Sequence, residues 1–276
     1  MSIHCLPEQL VNQIAAGEVV ERPAAVVKEL VENSLDAEAS RVEVEVVTGG
    51  LDAITVRDNG RGIVADELPL ALTAHATSKI ASLEELEAVA SLGFRGEALA
   101  SILAVARFSI ASRTAQEEHG WQISGAGVAP DDSPRPMAMP VGTRVEVNDL
   151  FFNTPARRKF MRKANTEQRH VEQRLRRLAL ARPEVGLRFI ADGKTRFEWA
   201  PATDAVLDGR VKAVCGAEFL GNTLQIDEQR NGMHLHGWVS LPAFSRGRAD
   251  LQYFFVNGRD VHDKLLGHAL RRAYAD

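Results

Sequence analysis

Apolar residues recur with helical spacing at Val26, Val27, Leu30 and Val31, behind Pro23, a residue tolerated in the first turn of a helix. The run ends near Asn33 and Ser34, and the pattern predicts a helix from about Ala24 to Leu35. On a helical wheel Lys28 and Glu32 point away from the apolar stripe, into solvent. Glu29 and Asn33 fall beside its edge, one turn apart on one face. The period then changes. In Arg41-Val-Glu-Val-Glu-Val-Val-Thr48 the residues Val42, Val44 and Val46 alternate with polar ones, Gly49-Gly50 supplies a turn, and Ile54 and Val56 mark a partner strand. An antiparallel hairpin therefore follows the helix, and its second strand runs straight into Asp58-Asn-Gly-Arg-Gly62. Further on, Gly93 and Gly96 precede an apolar helix over Ala98–Val105. A basic loop leads into a helix whose packed stripe is Val171, Leu175, Leu178 and Leu180, with Arg169, Arg174, Arg176 and Arg177 on the remaining surface. Beyond Pro201 the pattern resets, with a helix over Ala205–Gly216 and strands over Met233–Val239 and Gln252–Val256.

The chain has 276 residues, 45% apolar and 25% charged, which excludes collagen-like, disulfide-scaffold and wholly disordered classes. No apolar run approaches the roughly 18 residues of a membrane span, and Met1–Asn12 lacks the basic start and apolar block of a signal peptide. With only Cys5 and Cys215 there is no disulfide framework or zinc site, so a reducing, cytoplasmic setting without membrane contact is expected. The net charge of −4 divides unevenly. Residues 1–100 carry 7 basic and 17 acidic side chains, a net of −10, whereas Ala156–Arg182 carries 10 basic and 2 acidic, a net of +8. The basic stretch is either a solvated helix face or a surface for a polyanion.

Several residues carry candidate chemistry. A carboxylate and an amide oxygen placed as Glu29 and Asn33 are can position a water and a hard divalent cation, or form an ordinary half-exposed pair. Gly60 and Gly62 let the backbone approach a ligand closely, with Asp58 at the mouth. Gly60, Gly62 and Ala65 also satisfy the dinucleotide pattern G-x-G-x-x-A, but a hairpin precedes them where that pattern needs a strand, crossover helix and parallel strand. No P-loop motif exists in the chain. His75-Ala-Thr-Ser-Lys79 reads as a mobile polar loop. The glycine turn opening the Ala98–Val105 helix offers backbone N–H groups and a positive dipole end to an anion. A polyphosphate binds in so acidic a segment only if backbone amides and a divalent cation supply the positive field. His234 and His236 share a strand face, but no third ligand lies near them, and they read as ordinary surface or packing histidines.

The series Glu29-Leu-Val-Glu-Asn-Ser-Leu-Asp-Ala37, Asp58-Asn-Gly-Arg-Gly62, His75-Ala-Thr-Ser-Lys79, Gly93-Phe-Arg-Gly-Glu-Ala-Leu99 and Gly142-Thr143 resembles the ATP site of the gyrase, heat-shock chaperone, histidine kinase and MutL superfamily. Within it, Gln13-Ile-Ala-Ala-Gly-Glu-Val-Val-Glu-Arg-Pro23, the phrase Gly93–Leu99 and Leu150-Phe-Phe-Asn-Thr-Pro-Ala-Arg157 are similar to the MutL family of DNA mismatch repair proteins. The resemblance runs from Leu6 to the last residues. It implies an α+β fold: a two-layer α/β sandwich of the gyrase/MutL ATPase type over residues 1–201, then a ribosomal-S5-like α/β domain over 202–276. That second domain is expected to be incomplete, and the chain to be an N-terminal fragment in which no lysine for the γ-phosphate can be assigned.

By the same resemblance Glu29 is the general base for the water that attacks the γ-phosphate of ATP, and Asn33 ligates Mg²⁺. Asp58 reads the adenine amino group, with Thr143 supporting it through water and with Gly60 and Gly62 giving the base room. Thr77, Ser78, Lys79 and the backbone of Gly93, Phe94, Arg95, Gly96, Glu97, Ala98 and Leu99 form a lid over the phosphates. Met1–Arg22 is an arm that orders with ATP and joins two protomers into a homodimer. Arg157, Arg158, Lys159, Arg162, Lys163, Arg174, Arg177 and Lys264 contact DNA phosphates without sequence preference. The expected role is a weak Mg²⁺-dependent ATPase that couples a mismatch-recognition protein to a downstream nuclease or helicase. The competing reading is a DNA-binding scaffold whose nucleotide site binds without turnover. A topoisomerase-type subunit or kinase fits the Gly93–Leu99 and Asn153–Arg157 phrases poorly.

Overall fold

The alternation at Val42, Val44 and Val46 lies on an interior strand of an eight-stranded sheet. The computed structural model describes residues 16–17, 19–76, 96–127, 130, 133–202, 207–244 and 251–274. It divides into two units, one formed by Met1–Leu175 with Val185–Pro201 and the other by Arg176–Glu184 with Ala202–Asp276. The sheet of the first unit contains β1 (Arg41–Val47), β2 (Ala53–Asp58), β3 (Arg107–Arg113), β4 (Gly120–Ala126), β5 (Arg135–Met137), β6 (Gly142–Asn148), β7 (Gly186–Ala191) and β8 (Lys194–Trp199). The spatial order is β5-β4-β3-β6-β2-β1-β7-β8. Every pairing is antiparallel except that of β1 with β7.

Register explains why one face of this sheet is covered. Phe189, Val44, Val56, Val145, Ile110 and Ile123 stand side by side across six strands. None is more than 7% exposed. A second row, Ala191, Val46, Ile54, Val147 and Phe108, repeats the pattern two residues along. The Pro23–Asp36 helix packs on β1 and β2, and the Ala98–Val105 helix on β3 and β4. On the other face the period-two alternation presents charge: Arg57 reaches Glu43 at 2.6 Å, and Arg188 reaches the same carboxylate at 3.0 Å. The result is a two-layer α/β sandwich, with helices on the apolar face.

The Pro23–Asp36 helix occupies the expected stretch, with Val26, Val27, Leu30 and Val31 buried. Its polar side differs from the expectation. Lys28 and Glu32 do not extend into solvent: Glu32 is buried, and the Lys28 ammonium lies 2.9 Å from it. A helical wheel records which residues are apolar, not what charges reach the other flank; the Arg174 charge, from the Ala164–Ala181 helix, acts on Glu32. In that second helix the packed stripe is Glu167, Val171, Leu175 and Ala179, while Leu178 and Leu180 are half-buried. The stripe is spaced at four residues and begins with a carboxylate, because Glu167 accepts the Arg162 backbone N–H at 2.9 Å and so fixes the turn that starts the helix.

The second unit contains a helix over Leu207–Cys215, a short one over Ala217–Leu220, the antiparallel pair β9 (Thr223–Arg230) and β10 (Met233–Ser240), and a helix over Lys264–Ala273. The strand expected over Gln252–Val256 is reduced to Phe255–Val256 as β11, paired with Arg259–Asp260 as β12. Asn257-Gly258, both at positive φ, turns the chain there, and Tyr253 instead lies 4.9 Å under the Arg177 guanidinium. Cys215 is a free, half-buried thiol that burial pushes up to about 11; Cys5 lies outside the described residues. Among the described residues no helix is long and apolar enough to cross a membrane.

Phe189→Ala opens a cavity in the fully buried row and is expected to cost about 3–5 kcal/mol, whereas Thr55→Ala on the polar face should change stability by about 0.5 kcal/mol or less. Denaturant midpoints at unchanged m-value measure both, and equal effects would contradict the assignment of faces.

Candidate functional site

The register that places Val56 beside Val145 brings the end of β2 to the start of β6, so Asp58 emerges on the apolar face of the sheet, under the Pro23–Asp36 helix. A carboxylate there requires partners, and three donors supply them. The Ser34 hydroxyl donates to Oδ2 at 2.7 Å, and the backbone N–H groups of Gly60 and Thr143 donate to Oδ1 at 2.9 and 3.2 Å. Burial pushes the Asp58 carboxyl above the usual aspartate value, against the pull of these hydrogen bonds. Behind it Ser112, fully buried on β3, donates to the Gly142 carbonyl at 3.1 Å and accepts from the Ile63 N–H at 2.8 Å. Its single proton is thereby used, so in the 2.9 Å contact between Ser112 and Thr143 the Thr143 hydroxyl is the donor.

This polar floor closes one end of a cleft of about 1160 Å³. Glu29, Asn33, Asp58, Gly62 and Thr143 all line it, together with Gly96, Glu97, Ala98 and Leu99 at the start of the Ala98–Val105 helix. Glu29 and Asn33 keep the one-turn spacing read from the sequence, and the Lys28 ammonium lies 2.9 Å from Glu29 Oε1. His75 Nδ1 lies 3.0 Å from a Glu97 carboxylate oxygen on the same cleft. Thr77, Ser78, Lys79, Gly93, Phe94, Arg95 and most of the 1–22 arm lie outside the described residues.

The glycines are also demanded by the protein's own backbone. Gly60 is buried behind the cleft, not on it, and a Cβ there would meet the Ala37 carbonyl at 2.7 Å. Gly62, with φ of 77°, would drive a Cβ into the Arg113 carbonyl. The close approach is thus to the protein's own backbone, which folds the 58–62 loop against the helix end and β3. Gly142, at φ 127°, does the same against the Asp58 carbonyl and so aims the Thr143 N–H at the carboxylate. Ser112 was not singled out from sequence, and Ser34 and Gly142 stood in the motif series without a role of their own. Two carried a signal: Ser112 continues the inward parity of Phe108 and Ile110, and Ser34 lies four residues after Leu30 on the apolar stripe.

The basic residues differ in exposure and in partners. Lys159, Arg162 and Lys163 are exposed, as is Arg158, which pairs with Asp52 at 3.3 Å. Arg157 is half-buried with its guanidinium closed over Gly17, and Arg174 is half-buried. Arg177 and Arg176, expected on the helix surface, are engaged inside the second unit. Arg177 pairs with Asp260 at 2.8 Å and Arg176 donates to the Val214 carbonyl at 2.8 Å, because the helix end on which they lie is packed into that unit. Lys264 is exposed at the first turn of its helix. His234 pairs with Asp227 at 2.8 Å.

Residues 21–129 match the family model described as histidine kinase-, DNA gyrase B- and HSP90-like ATPase, and residues 211–276 that of the DNA mismatch repair protein C-terminal domain. Fold and site thus define the first unit as an ATPase domain of the gyrase and heat-shock chaperone class. The chain is 58% identical over 275 residues to the DNA mismatch repair protein MutL of Pseudomonas entomophila strain L48, covering 99% of this chain and 44% of that one. It is 52% identical over 277 residues to MutL of Mannheimia succiniciproducens, covering 100% and 44%. The solved Aquifex aeolicus MutL ATPase domain complexed with ADP matches with a TM-score of 0.70 and 36% identity, over 92% of this chain and 88% of that one. The chain belongs to the MutL family of DNA mismatch repair proteins, and it spans less than half the length of the curated relatives it matches.

Proposed function

We propose that this chain binds ATP with Mg²⁺ and hydrolyses it slowly to ADP and phosphate, as the switch of a mismatch-repair protein. The observation that carries the reading is the Asp58 floor. Its donors are spent internally: Ser34 on Asp58, Thr143 on Ser112, Ser112 on Gly142. What it offers the cleft is acceptor lone pairs on Asp58 and Thr143, which complement the amino group of adenine and a bridging water. Glu29, at the other end, is the general base that orients the attacking water, and the backbone around 96–99 receives phosphate. Asn33 is suited to Mg²⁺, an ion that keeps several waters and takes one or two protein oxygens with substrate phosphates; among the described residues no cluster of three or more metal-binding side chains offers a protein cage instead. Bound there, the ion would neutralise phosphate charge.

The rest of the reading draws on membership of the MutL family. ATP joins two copies of the chain through the 1–22 arm, hydrolysis releases them, and the cycle relays mismatch recognition to a nuclease or helicase in the cytoplasm. DNA is held without sequence preference by the exposed cations Arg158, Lys159, Arg162, Lys163 and Lys264. The scaffold reading, nucleotide binding without turnover, separates from this one by rate alone.

Glu29→Ala is expected to bind ATP and lose hydrolysis by about 10²–10⁴-fold, whereas Asp58→Ala loses binding. Hydrolysis at the parent rate by Glu29→Ala would sink the proposed base. Asp58 is acceptor-only when ionised and gains an O–H donor when protonated, and burial raises its carboxyl above the usual aspartate value, so affinity should fall on acidification at a higher pH than an ordinary aspartate would give. For DNA, Lys159→Glu or Lys163→Glu should lower affinity and flatten the log–log salt slope by about one per lost phosphate contact. An unchanged slope would return the segment to a solvated face.

A further inference from the structure

The Lys28 ammonium is shared by two carboxylates of its own helix, lying 2.9 Å from Glu29 Oε1 and 2.9 Å from Glu32 Oε2. Lys28 and Glu32 are four residues apart and stack on one flank; Glu29 lies a quarter-turn round, at the cleft. The two carboxylates are not equivalent. Glu32's side chain is only 11% exposed, and an uncompensated charge at that depth is strongly unfavourable, so Glu32 holds Lys28 in direct contact while the Arg174 charge acts on it as a lesser contribution. Burial pushes the Glu32 carboxyl up while Lys28 holds it down; burial works to lower the Lys28 pKa, and its two carboxylates outweigh it and raise it. Lys28 is therefore no swinging surface lysine. Its ammonium is anchored from behind, and an anchored cation restrains whatever else it bonds.

We propose that Lys28 is a positioning residue for ATP hydrolysis: held by the buried Glu32, it fixes Oε1 of Glu29, and so leaves Oε2 aimed to take the proton of the attacking water. The inference rests on the reading of Glu29 as general base. In that step the water oxygen bonds to the γ-phosphorus and its proton passes to Oε2. The bond from phosphorus to the β,γ-bridging oxygen breaks, and its electron pair leaves with ADP. A free glutamate side chain has three rotors to freeze before it can act; the Lys28 bridge freezes them beforehand.

The test compares Lys28→Met, Lys28→Arg and Glu29→Gln in the full chain, reading kcat, KM, affinity for a non-hydrolysable ATP analogue and melting temperature. Lys28→Met is expected to lose about tenfold or more in kcat with analogue affinity within about threefold, and Lys28→Arg, which can still bridge two carboxylates, to recover most of the rate. Should Lys28→Met be too unstable, Lys28→Met with Glu32→Gln leaves no uncompensated buried charge and is expected to melt like the parent while remaining slow. Parent kcat in Lys28→Met, or in the double variant, together with loss of hydrolysis in Glu29→Gln overturns the role of Lys28 and leaves the base intact. Parent kcat in Glu29→Gln overturns both.

Discussion

The site depends on one half-buried carboxylate. Asp58 is placed on the covered face of the sheet, where an ionised group without partners would be untenable, and its three donors come from three separate places: a helix, a loop and the start of another strand. Ser34 ties the Pro23–Asp36 helix to the end of β2. Gly60 curls the loop back on the strand it leaves. Thr143 brings in β6, and Ser112 behind it brings in β3 and, through Ile63, the far side of the same loop. Meeting the hydrogen-bonding needs of one side chain therefore fixes the relative placement of the helix and three strands. The apolar rows supply most of the cohesion of the layer; the Asp58 network sets where its polar end lies.

The same constraint links fold to chemistry. The residues that stabilise Asp58 consume their own protons in doing so, which leaves the floor rich in acceptors and poor in donors. The helix that carries Ser34 also carries Asn33, the residue before it, and Glu29, a turn before Asn33, both on the cleft. The Asp58 end of the cleft and the Glu29–Asn33 edge are thus tied to a single helix, and their separation is a matter of helical rise, not of loop conformation. On that helix the charged flank forms a second small network, Glu29–Lys28–Glu32, in which burial of the last member restrains the first.

Much of this was legible in the sequence because it rests on local periodicity. The helix, the β1–β2 hairpin and the pairing of Glu29 with Asn33 follow from spacing alone, and the motif series 29–37, 58–62 and 93–99 pointed to the superfamily that the comparisons bear out. What was not legible depends on contacts between distant segments. The environment of Glu32 includes the Arg174 charge from a distant helix, and the charged start of the Glu167, Val171, Leu175, Ala179 stripe requires knowing that Glu167 binds the Arg162 backbone. Gly62 lines the cleft and Gly60 lies behind it, and both also make room for the carbonyls of Arg113 and Ala37, a contact between distant segments. Arg177 counted as free positive charge in a net of +8, and it is neutralised by Asp260, 83 residues later in the chain.

The central claim is that an acceptor-only floor built on Asp58 selects an adenine amino group. Calorimetric titration with Mg²⁺ and matched non-hydrolysable analogues of ATP and of inosine triphosphate, which carries a carbonyl oxygen where adenine carries its amino group, tests it directly. The floor then sets an acceptor against an acceptor, and inosine is expected to bind at least about a hundredfold more weakly. Equal affinities would contradict the account.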